Sequence, residues 1–277
     1  MAEVNIKKRY VDVSDGQIHC RTQSDGAGPF LILFHMTASS SESYESLMTA
    51  FAGDVPTIAI DTPGYGESYK PSAEPSIEYI GKIVLEALDA LGVDKFHTFG
   101  HHTGASIALE LACAAPGRTL SAILNGVAAS DPGEGEEMER TYAYPNPRDP
   151  LGDHVLRAWN RVANGLELAP HIQLPPELVH RELIAMLKAG ENWAWGYRAV
   201  FRDDIPGKLK RVTRPVFFVI AEHDGVMPWH IREVERNPHF ASYIAPDHGV
   251  FYSELAAQDL APRIREFMRS AEAQALN

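Results

Sequence analysis

The run FLILFH at residues 30–35 constrains this chain more than any other stretch. A strand with one wet face alternates apolar and polar residues, whereas an unbroken apolar run of strand length suits a strand buried on both faces. Similar short segments follow at VPTIAID (55–61), KFHTFG (95–100) and LSAILNG (120–126). Between them lie SESYESLMTAFAG (41–53), PSIEYIGKIVLEALDALG (75–92) and TGASIALELACAAPG (103–117), with apolar residues at helical spacing. Strands alternating with helices predict an α/β chain whose central sheet is mostly parallel, flanked by helices and joined by right-handed crossovers. Two earlier strands are predicted at VNIKKRYVDV (4–13) and QIHCRTQ (17–23), with a turn at SDG between them, and Gly117 is expected to cap the third helix.

The alternation then stops. Residues 128–207 contain three helix candidates, DHVLRAWNRVANGL, PPELVHRELIAMLKAG and NWAWGYRAVF, and no convincing strand. It resumes with RPVFFVIAEHD (214–224), ASYIAPDHG (241–249) and a terminal helix at SELAAQDLAPRIREFMRS (253–270). Residues 1–127 and 208–277 are therefore read as one core domain, interrupted by a helical insertion over 128–207. Such an insertion would sit over the carboxyl ends of the strands, where open parallel sheets bind ligands.

The net charge of −12 disfavours nucleic acid and anionic membranes, which reward an excess of Lys and Arg. No apolar run approaches the roughly 18 residues of a membrane span, and the start MAEVNIKKRY lacks an apolar signal core. A soluble, cytoplasmic protein acting on a small molecule is expected, with Cys20 and Cys113 as free thiols. No phosphate loop or G-x-G-x-x-G occurs, and no predicted helix carries a His-x-x-x-His zinc pair, so neither cofactor nor metal is expected. His101 and His102 are expected to point apart, and His154, His171 and His180 to lie on the surface or line the pocket.

Five segments carry candidate chemistry. GHHTGA (100–105) joins a strand to a helix with glycines two positions before and after His102. That is the frame of a nucleophile elbow, where crowded backbone demands small residues. The amide of Thr103 would be one oxyanion donor at the helix N-terminus, and that of Met36 or Thr37, in FHMT (34–37), the second. AEHDGVMP (221–228) presents Asp224 at the end of a strand, and PDHGVF (246–251) presents His248 after the last strand. DTPGYGES (61–68) reads as a shaped loop in which Asp61 and Ser68 hold backbone amides. His35, Trp159, Trp193, Trp195 and Tyr197 are candidate substrate contacts.

Together these segments resemble the α/β-hydrolase fold family over nearly the whole chain. DTPGYGES is similar to its D-x-P-G-x-G-x-S loop, FHMT to its His-Gly oxyanion segment with Met36 for Gly, and GHHTGA to its elbow. AEHDGVMP and PDHGVF resemble its acid and histidine segments. The resemblance implies Asp224 and His248 as triad acid and base, and residues 128–207 as the helical cap that closes over the pocket. The departure is His102, which stands where the family has Ser, Cys or Asp.

A histidine ring at the elbow is expected to project into the pocket and face His248. It has three chemical roles open to it: attack on a carbonyl, general-base activation of water, or proton abstraction from the substrate. The first two give an esterase- or lactonase-like hydrolase of a small, fairly apolar carbonyl compound. The third gives a cofactor-independent lyase, isomerase or oxygenase. An inactive ligand-binding protein on the same frame is the remaining alternative. A displaced nucleophile at Ser39, Ser40 or Ser41 is disfavoured, because these residues suit a helix cap.

Overall fold

The computed structural model describes residues 4–23, 29–131, 133–167 and 172–275. Its eight strands are β1 (Ile6–Val13), β2 (Gly16–Gln23), β3 (Phe30–Phe34), β4 (Thr57–Ile60), β5 (Phe96–His101), β6 (Thr119–Asn125), β7 (Val216–His223) and β8 (Ala241–Gly249). They form one sheet in the order β1-β2-β4-β3-β5-β6-β7-β8. The pairs β1–β2 and β2–β4 are antiparallel, and all the others are parallel. The predicted α/β class, mostly parallel sheet and flanking helices are therefore those observed.

Period-two alternation divides the core. Ile32 and Phe34 of β3 pack on the face covered by α2 (Ile77–Ala90) and α3 (Thr103–Ala114), with Ile83, Val84, Ile107 and Leu111. Leu31 and Leu33 face α1 (Glu45–Ala50) and α11 (Ala257–Ala275), against Leu47, Met48, Leu260 and Ile264. Ser76 caps α2 by accepting from the Tyr79 amide. Gly117 does not cap α3: the helix stops at Ala114, and Ala115 leaves helical geometry just before Pro116.

Between β6 and β7 the chain forms α4 (Gly135–Tyr142), α5 (Asp153–Glu167), α6 (Pro176–Ala189), α7 (Trp195–Phe201) and α8 (Ile205–Arg211), with no strand among the described residues. The sequence patterns anticipated α5, α6 and α7. Helix α4 was missed because its polar sequence GEEMERTY buries only Met138. After β7 come α9 (Met227–Arg236) and then, beyond β8, α10 (Tyr252–Leu255) and α11. His248 lies inside β8 rather than after it, because pairing with β7 continues to His223 opposite Gly249 after a register shift.

Tyr65 and Ser39 are among the core side chains that fasten the inserted helices. The Tyr65 hydroxyl donates to the Trp193 carbonyl at 3.0 Å and accepts from the Gly196 amide at 2.7 Å. Ser39 donates to Glu182 at 3.0 Å. Cys20 and Cys113 are free. No helix among the described residues is long and apolar enough to cross a membrane.

Candidate active site

The backbone at His102 has φ 48° and ψ −105°, a conformation that costs a non-glycine residue about 1–3 kcal/mol. Its surroundings enforce it. A Cβ on Gly100 would stand 1.8 Å from the Gly104 carbonyl oxygen, and one on Gly104 would stand 1.9 Å from that of Phe34. The His102 amide donates to the Asn125 carbonyl at 2.9 Å, which ties the turn to the end of β6. The sharp strand-to-helix turn read from the glycine spacing is thus present.

The ring of His102 does not take the expected direction. Its Nε2 lies 3.0 Å from both carboxylate oxygens of Asp224. It therefore bonds the carboxylate at the end of β7, and no hydrogen bond or ring contact joins it to His248 among the described residues. The expectation that Asp224 stands behind His248 fails with it. His248 is half-buried, and its ring packs on Tyr252 at 4.7 Å between centroids. Among the described residues the histidines within 4 Å of Asp224 are His102 and His101. A serine has one atom beyond Cβ and would leave the carboxylate to another residue, but an imidazole is long enough to reach it directly.

Asp224 is buried, and its Oδ1 also accepts from the Val226 amide at 2.9 Å. Burial alone would push this carboxyl up, but the charge and hydrogen bonds of His102, with the nearby His101 imidazole, hold it well below the usual carboxylate range. An ionised Asp224 fixes the proton of His102 on Nε2. Nδ1 then carries the lone pair, and it has no hydrogen-bond partner among the described residues.

Glycine at 126 makes room for this arrangement. A Cβ there would stand 2.5 Å from Cδ2 and 2.8 Å from Nε2 of His102. In the sequence Gly126 reads only as the end of the strand LSAILNG. The available signal was a glycine directly after that strand, where close approach by another group is common.

His101 also departs from expectation. Its ring lies against that of His102, with centroids 4.3 Å apart, and its Nε2 is 3.9 Å from Asp224. That nitrogen is buried and has no hydrogen-bond partner among the described residues. His101, His102 and Asp224 thus bring three potential metal-ligating atoms within 4.8 Å of one another. Residue spacing along one helix carries no signal of such a cluster, which is assembled from the ends of β5 and β7. The second cluster of this kind, Glu222, His223 and Asp247, lies at the same carboxyl end of β7 and of β8, with both carboxylates exposed.

The amides of Met36, Thr37 and Thr103 donate no hydrogen bond among the described residues, while the hydroxyls of Thr37 and Thr103 bond each other at 2.8 Å. This places the two proposed oxyanion segments side by side at the start of α3. His35 is spent structurally: Nδ1 donates to the Met36 carbonyl at 2.8 Å and Nε2 accepts from the Thr62 amide at 3.1 Å. It is buried, so neither nitrogen remains for a ligand. Asp61 accepts from the Ser41 and Glu67 amides at 2.6 and 2.8 Å, and Ser68 Oγ accepts from the His19 amide at 2.9 Å. Ser40 caps the turn that leads into α1, Ser39 bonds Glu182, and Ser41 Oγ accepts from Arg21.

The candidate substrate contacts divide. Trp193 is buried, Trp195 and Tyr197 are half-buried, and the rings of Trp193 and Tyr197 meet at 5.7 Å. Trp159 is exposed on α5 and lines an outer groove with Pro176, Val179, His180 and Ile184. His154 bonds Asp149, and His171 lies outside the described residues.

Two buried imidazoles make stability depend on pH. Burial, reinforced by the neighbouring His102, pushes His101 down to about 4. Burial does the same to His230, also down to about 4, although Asp224 opposes it. His230 Nδ1 accepts from the Val127 amide at 3.0 Å, which needs the neutral ring. An unfolded histidine titrates near 6.5, so between about pH 6.5 and 4 the unfolded chain binds protons that the folded chain does not. Stability is complete above this window and falls as pH falls through it, by roughly 3 kcal/mol per ring. Urea unfolding at pH 7.5, 5.5 and 4.5 should show a stepwise fall in midpoint; an unchanged midpoint would refute the assignment.

Comparisons with known proteins agree with this architecture. The chain matches the family model described as alpha/beta hydrolase fold over residues 29–249. It is 29% identical over 121 residues to fluoroacetate dehalogenase of Burkholderia sp, covering 42% of this chain and 39% of that protein. It is 26% identical over 260 residues to the dihydrolipoyllysine-residue acetyltransferase component of the acetoin cleaving system of Pseudomonas putida, covering 88% of this chain and 64% of that one. The chain spans less than two thirds of the length of these curated relatives. Among solved structures, E-2-(acetamidomethylene)succinate hydrolase superposes with a TM-score of 0.75 at 19% identity, covering 96% of this chain and 100% of that one. The enol-lactonase from Burkholderia xenovorans LB400 gives 0.72 at 19% identity, covering 94% and 100%. These two likenesses establish the fold.

Proposed function

Because the chain belongs to the α/β hydrolase fold family, we propose that it hydrolyses a small, fairly apolar ester, lactone or related carbonyl compound, with His102 as general base and Asp224 as the group that orients it. The observation that carries this reading is the pair of 3.0 Å contacts from His102 Nε2 to the Asp224 carboxylate. They leave Nδ1 as the basic nitrogen at the elbow, beside amides that lack acceptors.

In the proposed reaction Nδ1 takes a proton from a water molecule as its oxygen bonds to the carbonyl carbon. The carbonyl electron pair moves to oxygen, and the amides of Thr103 and of Met36 or Thr37 stabilise that oxyanion. Collapse of the adduct breaks the bond to the leaving oxygen, which receives the proton from Nδ1. Asp224 keeps Nε2 protonated throughout and stabilises the transient imidazolium. The family membership supports hydrolysis in general; the ester or lactone substrate and the role of His102 are the proposal.

A panel of short-chain nitrophenyl esters and simple lactones tests it. Turnover should appear on some member, persist in EDTA, and leave no fluorophosphonate label on the protein. Inertness across the panel would favour a non-hydrolytic or binding role. Turnover abolished by EDTA and restored by zinc would make the His101–His102–Asp224 cluster a metal centre instead. Labelling at Ser39, Ser40 or Ser41 would move the nucleophile away from the elbow.

A further inference from the structure

Arg161, on α5, is half-buried and surrounded by aromatic rings. Its guanidinium carbon lies 5.1 Å from the ring centre of Tyr197, 5.7 Å from that of Trp193 and 5.9 Å from that of Tyr142. Tyr144 completes the surround, with its ring 5.4 Å from that of Trp193. No carboxylate among the described residues lies within 4 Å of this guanidinium. The chain has no shortage of acids, with 37 Asp and Glu against 25 Lys and Arg. The other half-buried arginines of the insertion each face one: Arg157 has Asp149 at 3.6 Å, Arg181 has Glu254 at 2.6 Å, and Arg198 has Glu74 at 2.9 Å.

One donor in the same cluster has no acceptor at all among the described residues. The indole N–H of Trp193 is buried and has no partner among the described residues. Cation–π contact offsets part of the cost of desolvating a guanidinium but supplies no acceptor, and the Tyr197 hydroxyl can satisfy only one of its five in-plane N–H groups. A guanidinium held against the Tyr197 hydroxyl with no carboxylate partner, beside an indole N–H without an acceptor, is complementary to an anionic oxygen ligand. Arginine's planar fork matches a carboxylate in two parallel hydrogen bonds.

The cluster adjoins the elbow from two directions. On one side the Trp193 carbonyl and the Gly196 amide both bond Tyr65, and a Cβ on Gly196 would meet Thr37 Oγ1 at 2.0 Å; Thr37 in turn bonds Thr103, next to His102. On the other, Tyr142 contacts Trp229 at 6.0 Å, on the helix that begins just after Val226. A Cβ on Gly126 would touch both Val226 and His102.

We propose that Arg161, with Trp193 and the tyrosines around it, binds a carboxylate carried by the substrate at the end remote from the bond that breaks. The substrate is then a carbonyl compound with an otherwise apolar body and one anionic terminus. The inference rests on the hydrolase reading for its site of reaction, but binding of the anion does not require turnover. The fold leaves this to side-chain placement: Arg161 sits in a helix whose charges would otherwise read as solvated surface.

Two measurements separate the two ideas. Glutarate, with neutral glutaramide as control, is titrated into the protein while tryptophan fluorescence is followed, since Trp193 lies against the guanidinium. Saturable binding of glutarate but not glutaramide is expected, weakened at least tenfold in Arg161→Met and less in Arg161→Lys. Mono-4-nitrophenyl glutarate is then compared with 4-nitrophenyl butyrate. The parent protein should favour the charged ester at least tenfold in kcat/KM, and Arg161→Met should lose that preference while changing the neutral ester less than twofold. If no ester is hydrolysed but the glutarate result holds, the carboxylate site stands and the hydrolase reading fails. If the parent binds no glutarate, or Arg161→Met lowers both esters equally, the carboxylate site is refuted. Should Arg161→Met not fold, the Arg161→Lys variant and the parent's own glutarate–glutaramide discrimination decide.

Discussion

His102→Ala should lower kcat/KM on a responsive ester by roughly two to four orders of magnitude, the span attributable to a positioned general base. The loss should fall on kcat more than on KM, because the ring acts on water rather than on bound substrate. Asp224→Asn should cost about as much: with its oxygen held by the Val226 amide, the side-chain NH2 would donate to Nε2 and leave the ring proton on Nδ1, removing the basic lone pair. His248→Ala is the informative contrast. Its ring rests on Tyr252 and not on Asp224, so kcat/KM should change less than about threefold. Steady-state kinetics on the three variants checks all of this. Full activity in His102→Ala, or collapse in His248→Ala with His102→Ala intact, would return the base to the chain's last strand.

Gly100→Ala should be the most damaging single methyl in the core. The added carbon would lie 1.8 Å from the Gly104 carbonyl oxygen, 2.1 Å from its carbonyl carbon and 2.5 Å from the Ala105 nitrogen. All three are backbone atoms at the start of a buried helix, so nothing flexible can move aside. A cost of about 3 kcal/mol or more is expected, at the upper end for overpacking. For a chain of this size that lowers Tm by roughly 6–12 °C. Gly117→Ala is the control: nothing lies within 4 Å of its added Cβ, and stability should stay within about 0.5 kcal/mol. Thermal unfolding followed by circular dichroism measures both. Equal melting of the two variants would mean that the elbow is looser than its geometry indicates.

The two predictions draw on different levels of information. Gly100, Gly104 and the strand–turn–helix around His102 were legible because backbone crowding is local and writes itself into a fixed spacing. The alternation of FLILFH and its companions with helical segments was legible for a similar reason, since burial on both faces of a strand leaves a continuous apolar run. Helix α4 escaped because it buries one side chain and shows no apolar stripe. His35 resembled a ligand contact in the sequence and proved to be structural, because its two partners, the Met36 carbonyl and the Thr62 amide, belong to different loops.

By itself the sequence determined the α/β architecture, the position of the elbow and the identity of the residue standing on it. Tertiary structure alone decided what that residue touches. Side-chain direction at a strained turn depends on which neighbour offers the better electrostatic partner, and that neighbour, Asp224, lies 122 residues away in the chain. The same holds for Gly126 beneath the ring and for Arg161 among its aromatic neighbours. Spacing along a chain records local sterics, whereas the pairing of a charge with its partner is set only when distant strands and helices pack.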